Sequence, residues 1–373
     1  MLKKIWNGIV RYYHTTDKFV WMLCLISSAM SVVLLAGIAH SGYVRLDRVV
    51  VQAGASLIGF CAMIVISKID YQFMADTWKL HTALGYFLVL LTFVIGIARD
   101  DDRAWLPLIP GVLTIQPSEL LKLSFIVTFS LHLQRVKDSI NQPSVLALVA
   151  AHAALPAGLI MIQGDHGTAV VFVLIACAMV FAAGISMKYI LGAAGAVVAL
   201  LPVIWFGIMD ESKRLRIISL FNPDLDPAGI GYQQRYGRIA LGSGKLWGKG
   251  VFSGNHQYVP EMYNDFIFSF IGEALGLLGC LAVIFILSSM CMRILYTGTR
   301  TKDALGHFIC VGIFAMIGAQ MVMNIGMCLS LLPVIGVTLP LFSGGGTSVV
   351  VTYMGMGLYM SVYMHNNRKL FID

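Results

Sequence analysis

Charge is what this chain has least of. Of its 373 residues only 12% are Asp, Glu, Lys or Arg, while 58% are hydrophobic and the mean hydropathy is +0.81. An ordinary soluble domain is about one quarter charged, so a solvated globular surface is excluded and a polytopic membrane protein is implied. Metal-ligand spacing is missing as well. The cysteines (Cys24, Cys61, Cys177, Cys280, Cys291, Cys310, Cys328) lie in apolar stretches with no CxxC and no His/Cys cluster. A zinc or redox module is thereby excluded, and they read as small core hydrophobes. No repeat with a period of about 20–50 residues, no low-complexity tract and no soluble domain is visible, so residues 1–373 read as one membrane domain.

What is present is a series of apolar runs. At about 20 residues per crossing, spans fall near 19–40, 49–67, 81–98, 117–134, 145–162, 168–184, 187–209, 265–292, 306–331 and 341–364. The fold class is therefore all-α, with ten transmembrane helices and a large outer loop at about 210–264. The first apolar run, Phe19–Ala39, is too long for a signal-peptide core and stays attached. Ahead of it, Ile5–Tyr13 reads equally as a short interfacial turn or an unstructured tail.

An even number of spans puts both ends on one side. That side receives fourteen basic residues, Lys3, Lys4, Arg11, Lys18, Lys68, Lys79, Arg135, Lys137, Lys188, Arg293, Arg300, Lys302, Arg368 and Lys369. The short opposite loops carry four, Arg45, Arg48, Arg99 and Arg103. The bias predicts cytoplasmic termini, because short cytoplasmic loops retain Lys and Arg. Asp210–Asn264 holds seven more, but loops of that length translocate largely regardless of charge, so it faces outward.

The outer loop sets Arg214, Arg216, Lys245 and Lys249 among glycines (Gly242, Gly244, Gly248, Gly250, Gly254) and aromatics. Glycine lets backbone N–H groups approach an anion, and Lys or Arg supplies countercharge. The stretch GSGKLWGKG lacks the spacing of a nucleotide-binding loop, since Lys249 is followed by Gly250 rather than Ser or Thr. A lipid-linked pyrophosphate fits a basic, glycine-rich loop on the outer surface; nucleic acid does not. The same charges on lipid headgroups alone are the plainer reading.

Two carboxylates stand in the apolar run YNDFIFSFIGEALG. On a continuous helix Ser269, Gly272 and Glu273 lie within about 80° of Asp265, with Glu273 about 12 Å deeper. Ionisable groups at such positions mark functional or tightly paired sites. Asp265 alone reads as either a functional group or a helix cap. Glu273 reads as a paired group within the bundle. Glu119 in QPSEL, Asp165 in QGDHGT, and Gln320 with Asn324 in QMVMNIG converge on the same outer half, and Lys122 is positioned to pair with Glu119 at i+3. LLPVIGVTLPLFSGGGTS predicts irregular backbone packed on protein or lining a cavity.

These residues resemble the SEDS (shape, elongation, division and sporulation) family, nearest its RodA elongation branch. The likeness is strongest in Gln116–Glu119, Arg214–Arg216, Asn222–Tyr232, Ile239–Gly250, Pro260–Gly279, Gln320–Gly326 and Leu332–Ser348. The family's P-E-x-H-T-D-F-I-F stretch matches Pro260–Phe268, with Tyr263-Asn264 in place of His-Thr, and Gly344 stands for the tyrosine of S-Y-G-G.

The resemblance implies a ten-span enzyme of the bacterial cytoplasmic membrane that polymerises lipid II into glycan strands at the outer face. Asp265 would be the general base on the sugar 4-hydroxyl, with undecaprenyl pyrophosphate leaving and inversion at the anomeric carbon. Arg214, Arg216, Lys245, Lys249, Glu119 and Glu261 would bind substrate, and Glu273, Asp165, Gln320, Asn324 and Ser343 would support the site. The scheme requires no cofactor and admits a divalent cation, Mg or Mn. The implied partners are a class B penicillin-binding protein, packed around Ala304–Met327, and other elongation or division proteins. A lipid II flippase or other transporter, and a catalytically weakened scaffold, remain open alternatives.

Overall fold

The structure is a computed structural model that describes residues 12–99, 102–109, 113–209, 211–221 and 230–368. Ile5–Val10 therefore lie outside the described residues, as do 222–229 within the matching loop segment.

A helix occupies each apolar segment. In chain order these are α1 Lys18–His40, α2 Leu46–Lys68, α4 Trp78–Ile95, α5 Pro117–Val136, α6 Pro143–Ile162, α7 His166–Ala182, α8 Met187–Val203, α11 Ile267–Arg300, α12 Ala304–Cys328 and α13 Gly346–Arg368. The short helix α3, Tyr71–Asp76, precedes α4, and two further helices, α9 Glu211–Phe221 and α10 Ile230–Ser243, organise the outer loop. Seven helices among the described residues are long and apolar enough to cross a membrane by length and composition.

Local chemistry sets the starts. Asp17, Asp165 and Asp303 accept the first-turn N–H groups of α1, α7 and α12, while Pro117 and Pro143 open α5 and α6, where a missing N–H is harmless. Helix α13 packs along α2, α11 on α12, and α12 on α5 and α7, so α12 is central. Helix α8 has no buried residue and stands at the rim.

The fold is not purely α-helical. Strands β1 Ile97–Arg99, β2 Asp102–Ile109 and β3 Leu113–Ile115 form an antiparallel sheet in the order β1-β2-β3, pairing Ile97 with Trp105 and Leu106 with Ile115. Ala104 and Leu106 point inward while Arg103 is exposed. The acidic run and Pro107 hide this short alternation. The sheet is tied to the bundle by Arg103 N–H on the Gln163 carbonyl at 3.3 Å and by Thr347 Oγ1 on the Thr114 carbonyl at 3.3 Å.

Helix α11 departs most from expectation. It begins at Ile267 with Phe266 as its cap residue, so Asp265 lies before the helix and is not its cap. It is also broken at Gly276, where φ is 68° and ψ is −166°. A helix break strands main-chain groups, and the hairpin Lys245–Gly250 takes them up. Lys249 N–H and Gly250 N–H donate to the carbonyls of Glu273 and Ala274, both at 2.9 Å, while Leu277 and Leu278 N–H donate to the carbonyls of Lys245 and Leu246 at 2.9 and 3.4 Å. The approach depends on glycine. A Cβ on Gly244, Gly248 or Gly276 would meet backbone atoms of the opposite segment at under 3.0 Å.

Candidate active site

Asp265 is half-buried in the turn Pro260–Phe266, and its main chain is pinned from two sides. Asn324 of α12 donates through Nδ2 to the Asp265 carbonyl at 2.8 Å and to the Val337 carbonyl at 2.7 Å. Ser343 Oγ donates to the Asn264 carbonyl at 2.6 Å and accepts Leu339 N–H at 2.7 Å, and Gly344 N–H donates to the Tyr263 carbonyl at 2.7 Å. The irregular segment 329–345 thus packs on protein and fixes the carboxylate's position. Asp265 Oδ2 lies 3.6 Å from where a Gly336 Cβ would stand. Glu261 is exposed and held at φ 55°, and its main-chain carbonyl accepts Asn264 and Phe266 N–H groups at 2.9 and 3.2 Å, which closes the turn.

Beside Gly336 lies a cavity of about 20 Å³, lined by Gln116, Glu119, Thr168, Gln320, Gly336 and Thr338 among others. It has room for a water and polar partners to hold one. Glu119 accepts Lys122 Nζ at 2.6 Å, the pairing the i+3 spacing predicts, and both side chains are almost wholly buried. Asp165 accepts Thr168 N–H at 2.9 Å and Gln116 Nε2 at 2.5 Å. Glu119 and Gln320 therefore line the cavity beside Gly336, Asp165 is joined to it through Gln116, and Asp265 lies near Gly336.

A second cluster surrounds Glu273, whose side chain is fully buried. It accepts Lys249 Nζ at 2.5 Å, Gln257 N–H on both oxygens at 3.0 Å and Ser243 Oγ at 3.3 Å, with His256 Nδ1 at 3.6 Å. One carboxylate so fastens the hairpin, the segment after it and the end of α10 to α11. Lys249, expected on the substrate anion, spends its charge here while keeping 36% of its side chain exposed. Lys245 is exposed at φ 50° in the same hairpin. Arg214 and Arg216 are half-buried on α9, where Arg214 Nη2 donates to the Phe206 carbonyl at 3.3 Å. Loop and carboxylates are thus joined through Lys249 and Glu273.

Sequence reasoning missed Gln116, His256 and the glycine crossing at Gly244, Gly248 and Gly276. The spacing of glycines at 244, 248, 272 and 276 was the available signal, because small residues four apart let backbones approach. Among the described residues no three His, Cys, Asp or Glu side chains converge as a resident metal site would require. A cation at Asp265 would have to be held largely by substrate phosphates.

Fold and site together define a multi-pass helical membrane protein with one carboxylate pinned near a polar cavity and a basic loop locked onto a second, buried one. The chain belongs to the cell cycle protein family that groups FtsW, RodA and SpoVE, which it matches over residues 14–368. It is 30% identical over 366 residues to peptidoglycan glycosyltransferase MrdB of Escherichia coli K12, covering 93% of this chain and 96% of that protein. The probable peptidoglycan glycosyltransferase FtsW of Geobacter sulfurreducens is 33% identical, covering 87% of this chain and 86% of its own. In fold the chain is similar to one from a peptidoglycan synthase complex solved to explain how polymerization and crosslinking are coordinated, with a TM-score of 0.82, 24% identity, and 94% and 98% coverage.

Proposed function

We infer that this protein is a peptidoglycan glycosyltransferase that polymerises lipid II for cell-wall elongation, with Asp265 as the general base. The relatives named as peptidoglycan glycosyltransferases support the activity. The observation that carries the assignment to Asp265 is its placement: a half-buried carboxylate outside the helix, with its main chain fixed by Asn324 and its neighbour's by Ser343. A base held in this way can accept the 4-hydroxyl proton of one lipid II as its oxygen attacks the anomeric carbon of the growing strand. Undecaprenyl pyrophosphate leaves unprotonated, so one carboxylate suffices. Arg214, Arg216, Lys245 and the exposed part of Lys249 stabilise the departing charge, Glu119 and Glu261 contribute to the substrate side, and Glu273 supports the loop.

The domain is a single ten-span unit of the bacterial cytoplasmic membrane with both termini inside and the loop 210–264 outside. Its partner is a class B penicillin-binding protein, seated on the later helices around Ala304–Met327. Recovery of the chain without any such transpeptidase after mild extraction from its own cells would refute that pairing.

The deciding assay is glycan-strand formation from lipid II by purified protein. Asp265→Asn keeps size and disturbs neither main-chain anchor, so folding and partner binding should persist while polymerisation falls by about 10²-fold or more. Glu273→Gln should lose stability and activity together. Near-normal product from a folded Asp265→Asn would end the general-base assignment, and no product from the parent protein would end the enzymatic reading.

A further inference from the structure

At the end of the bundle where α1 begins and α11 and α13 finish, a shallow groove of about 430 Å³ is lined by Phe19, Ser289, Met292, Arg293 and Tyr296. We propose that this groove binds an anionic phospholipid of the adjoining leaflet, its phosphate on Arg293 and Arg300 and an acyl chain over Phe19 and Met292.

The polar end is built around Arg293, whose Nε donates to Asp17 Oδ2 at 2.5 Å. Asp17 is otherwise saturated. It also accepts Tyr359 OH at 2.8 Å and the N–H groups of Phe19 and Val20 at 3.1 and 3.5 Å. The Arg293 side chain nevertheless remains 33% exposed and borders the groove. Arg300 adds a second cation, lying over the Tyr296 ring at 4.3 Å, with Arg293 near the same ring at 5.8 Å. Two guanidiniums thus stand against one carboxylate. Arginine is weakly hydrated and matches phosphate with paired donors, and basic pockets between membrane helices recognise acidic headgroups.

The other half of the groove is apolar, with Phe19 and Met292 exposed to 40% and 63%. A ligand that uses both halves is amphipathic, which favours a phospholipid over a free phosphate. An apolar partner helix laid here would cover an excess cation with hydrocarbon and leave it without a counter-ion, which is unfavourable.

The test is native mass spectrometry of the purified full chain with phosphatidylglycerol or phosphatidylcholine of identical acyl composition, and with glycerol phosphate as a soluble headgroup. Phosphatidylglycerol should be retained over phosphatidylcholine, and Arg300→Gln should weaken its retention by about fivefold. Ser289→Trp, which fills the groove and leaves the Asp17–Arg293 pair intact, should abolish the preference at unchanged melting temperature. Equal retention of the two lipids, or a preference that survives Ser289→Trp, would overturn the proposal. So would competition by glycerol phosphate at lipid concentrations, or a groove that stays closed to lipid because a single-pass partner occupies it.

Discussion

Replacing Gly248 with alanine tests the docking of the hairpin on the broken helix, and Gly250 supplies an internal control. Both glycines have left-handed backbone, at φ 81° and 92°. An alanine in that region costs about 1–2 kcal/mol at either position. The surroundings differ. A Cβ on Gly250 meets nothing within 4 Å, whereas one on Gly248 falls inside contact range of the Ala274 carbonyl. Gly248→Ala must therefore push the hairpin away and lengthen the bonds from Lys249 and Gly250 N–H to Glu273 and Ala274, now 2.9 Å each. At about 1 kcal/mol net per bond, the excess over Gly250→Ala is about 2 kcal/mol. That corresponds to about a 30-fold larger opening constant. Hydrogen–deuterium exchange of peptides covering residues 245–258 in the purified protein reads this directly, because local opening sets amide protection. Exchange should be slow in the parent, moderately faster in Gly250→Ala and fastest in Gly248→Ala. Equal rates in the two variants, or an unprotected Lys249 amide in the parent, would refute the docking.

The Glu119–Lys122 pair gives a sharper stability forecast. Lys122→Met leaves the Glu119 carboxylate buried beside apolar carbon, and a broken buried pair costs about 3–5 kcal/mol, so the variant should melt far lower than Lys122→Met combined with Glu119→Leu. Thermal melts in detergent decide it, and equal melting of the single and double variants would contradict the pairing. For the basic loop, Arg214→Ala, Arg216→Ala and Lys245→Ala should raise the lipid II concentration needed for half-maximal strand synthesis while leaving the fold intact. Lys249→Ala should in addition loosen residues 245–258. Unchanged synthesis in a variant lacking all four charges would assign them to headgroups alone.

The helices were legible because a bilayer demands about 20 apolar residues per crossing, while the capping roles of Asp17, Asp165 and Asp303 show only in the structure. Main-chain events were not legible. Nothing in IGEALGLLG distinguishes a continuous helix from one broken at Gly276, since glycine occurs in both and the partner carbonyls lie about 30 residues upstream. The same blindness put Asp265 on a helical face that begins only at Ile267. Glu273 was correctly expected to be paired, but its partner Lys249 had been allotted to the substrate, because a sequence shows charges and not which of them meet.

The two departures at Tyr263 and Gly344 become intelligible only in space. A Cβ on Gly344 would press on the Tyr263 carbonyl at 2.9 Å and on its ring at 3.1 Å. Gly344 thus leaves the room that the Tyr263 main chain and ring occupy in the turn that holds Asp265.

The broken helix also constrains how the protein can be made. Ribosomal synthesis delivers Lys245–Gly250 before Gly276, so the hairpin segment exists first and waits for the segment it will complete. Until the hairpin docks, Leu277 and Leu278 N–H can close on the carbonyls of Glu273 and Ala274, each four residues earlier, as in a continuous helix. Docking exchanges those two bonds for four between the hairpin and the broken helix. The earlier-born loop thus sets where the later-born helix breaks, and α11 takes its final form only once the loop has folded back onto it. The break at Gly276, and with it the cluster around Glu273, is therefore completed late in the folding of the chain.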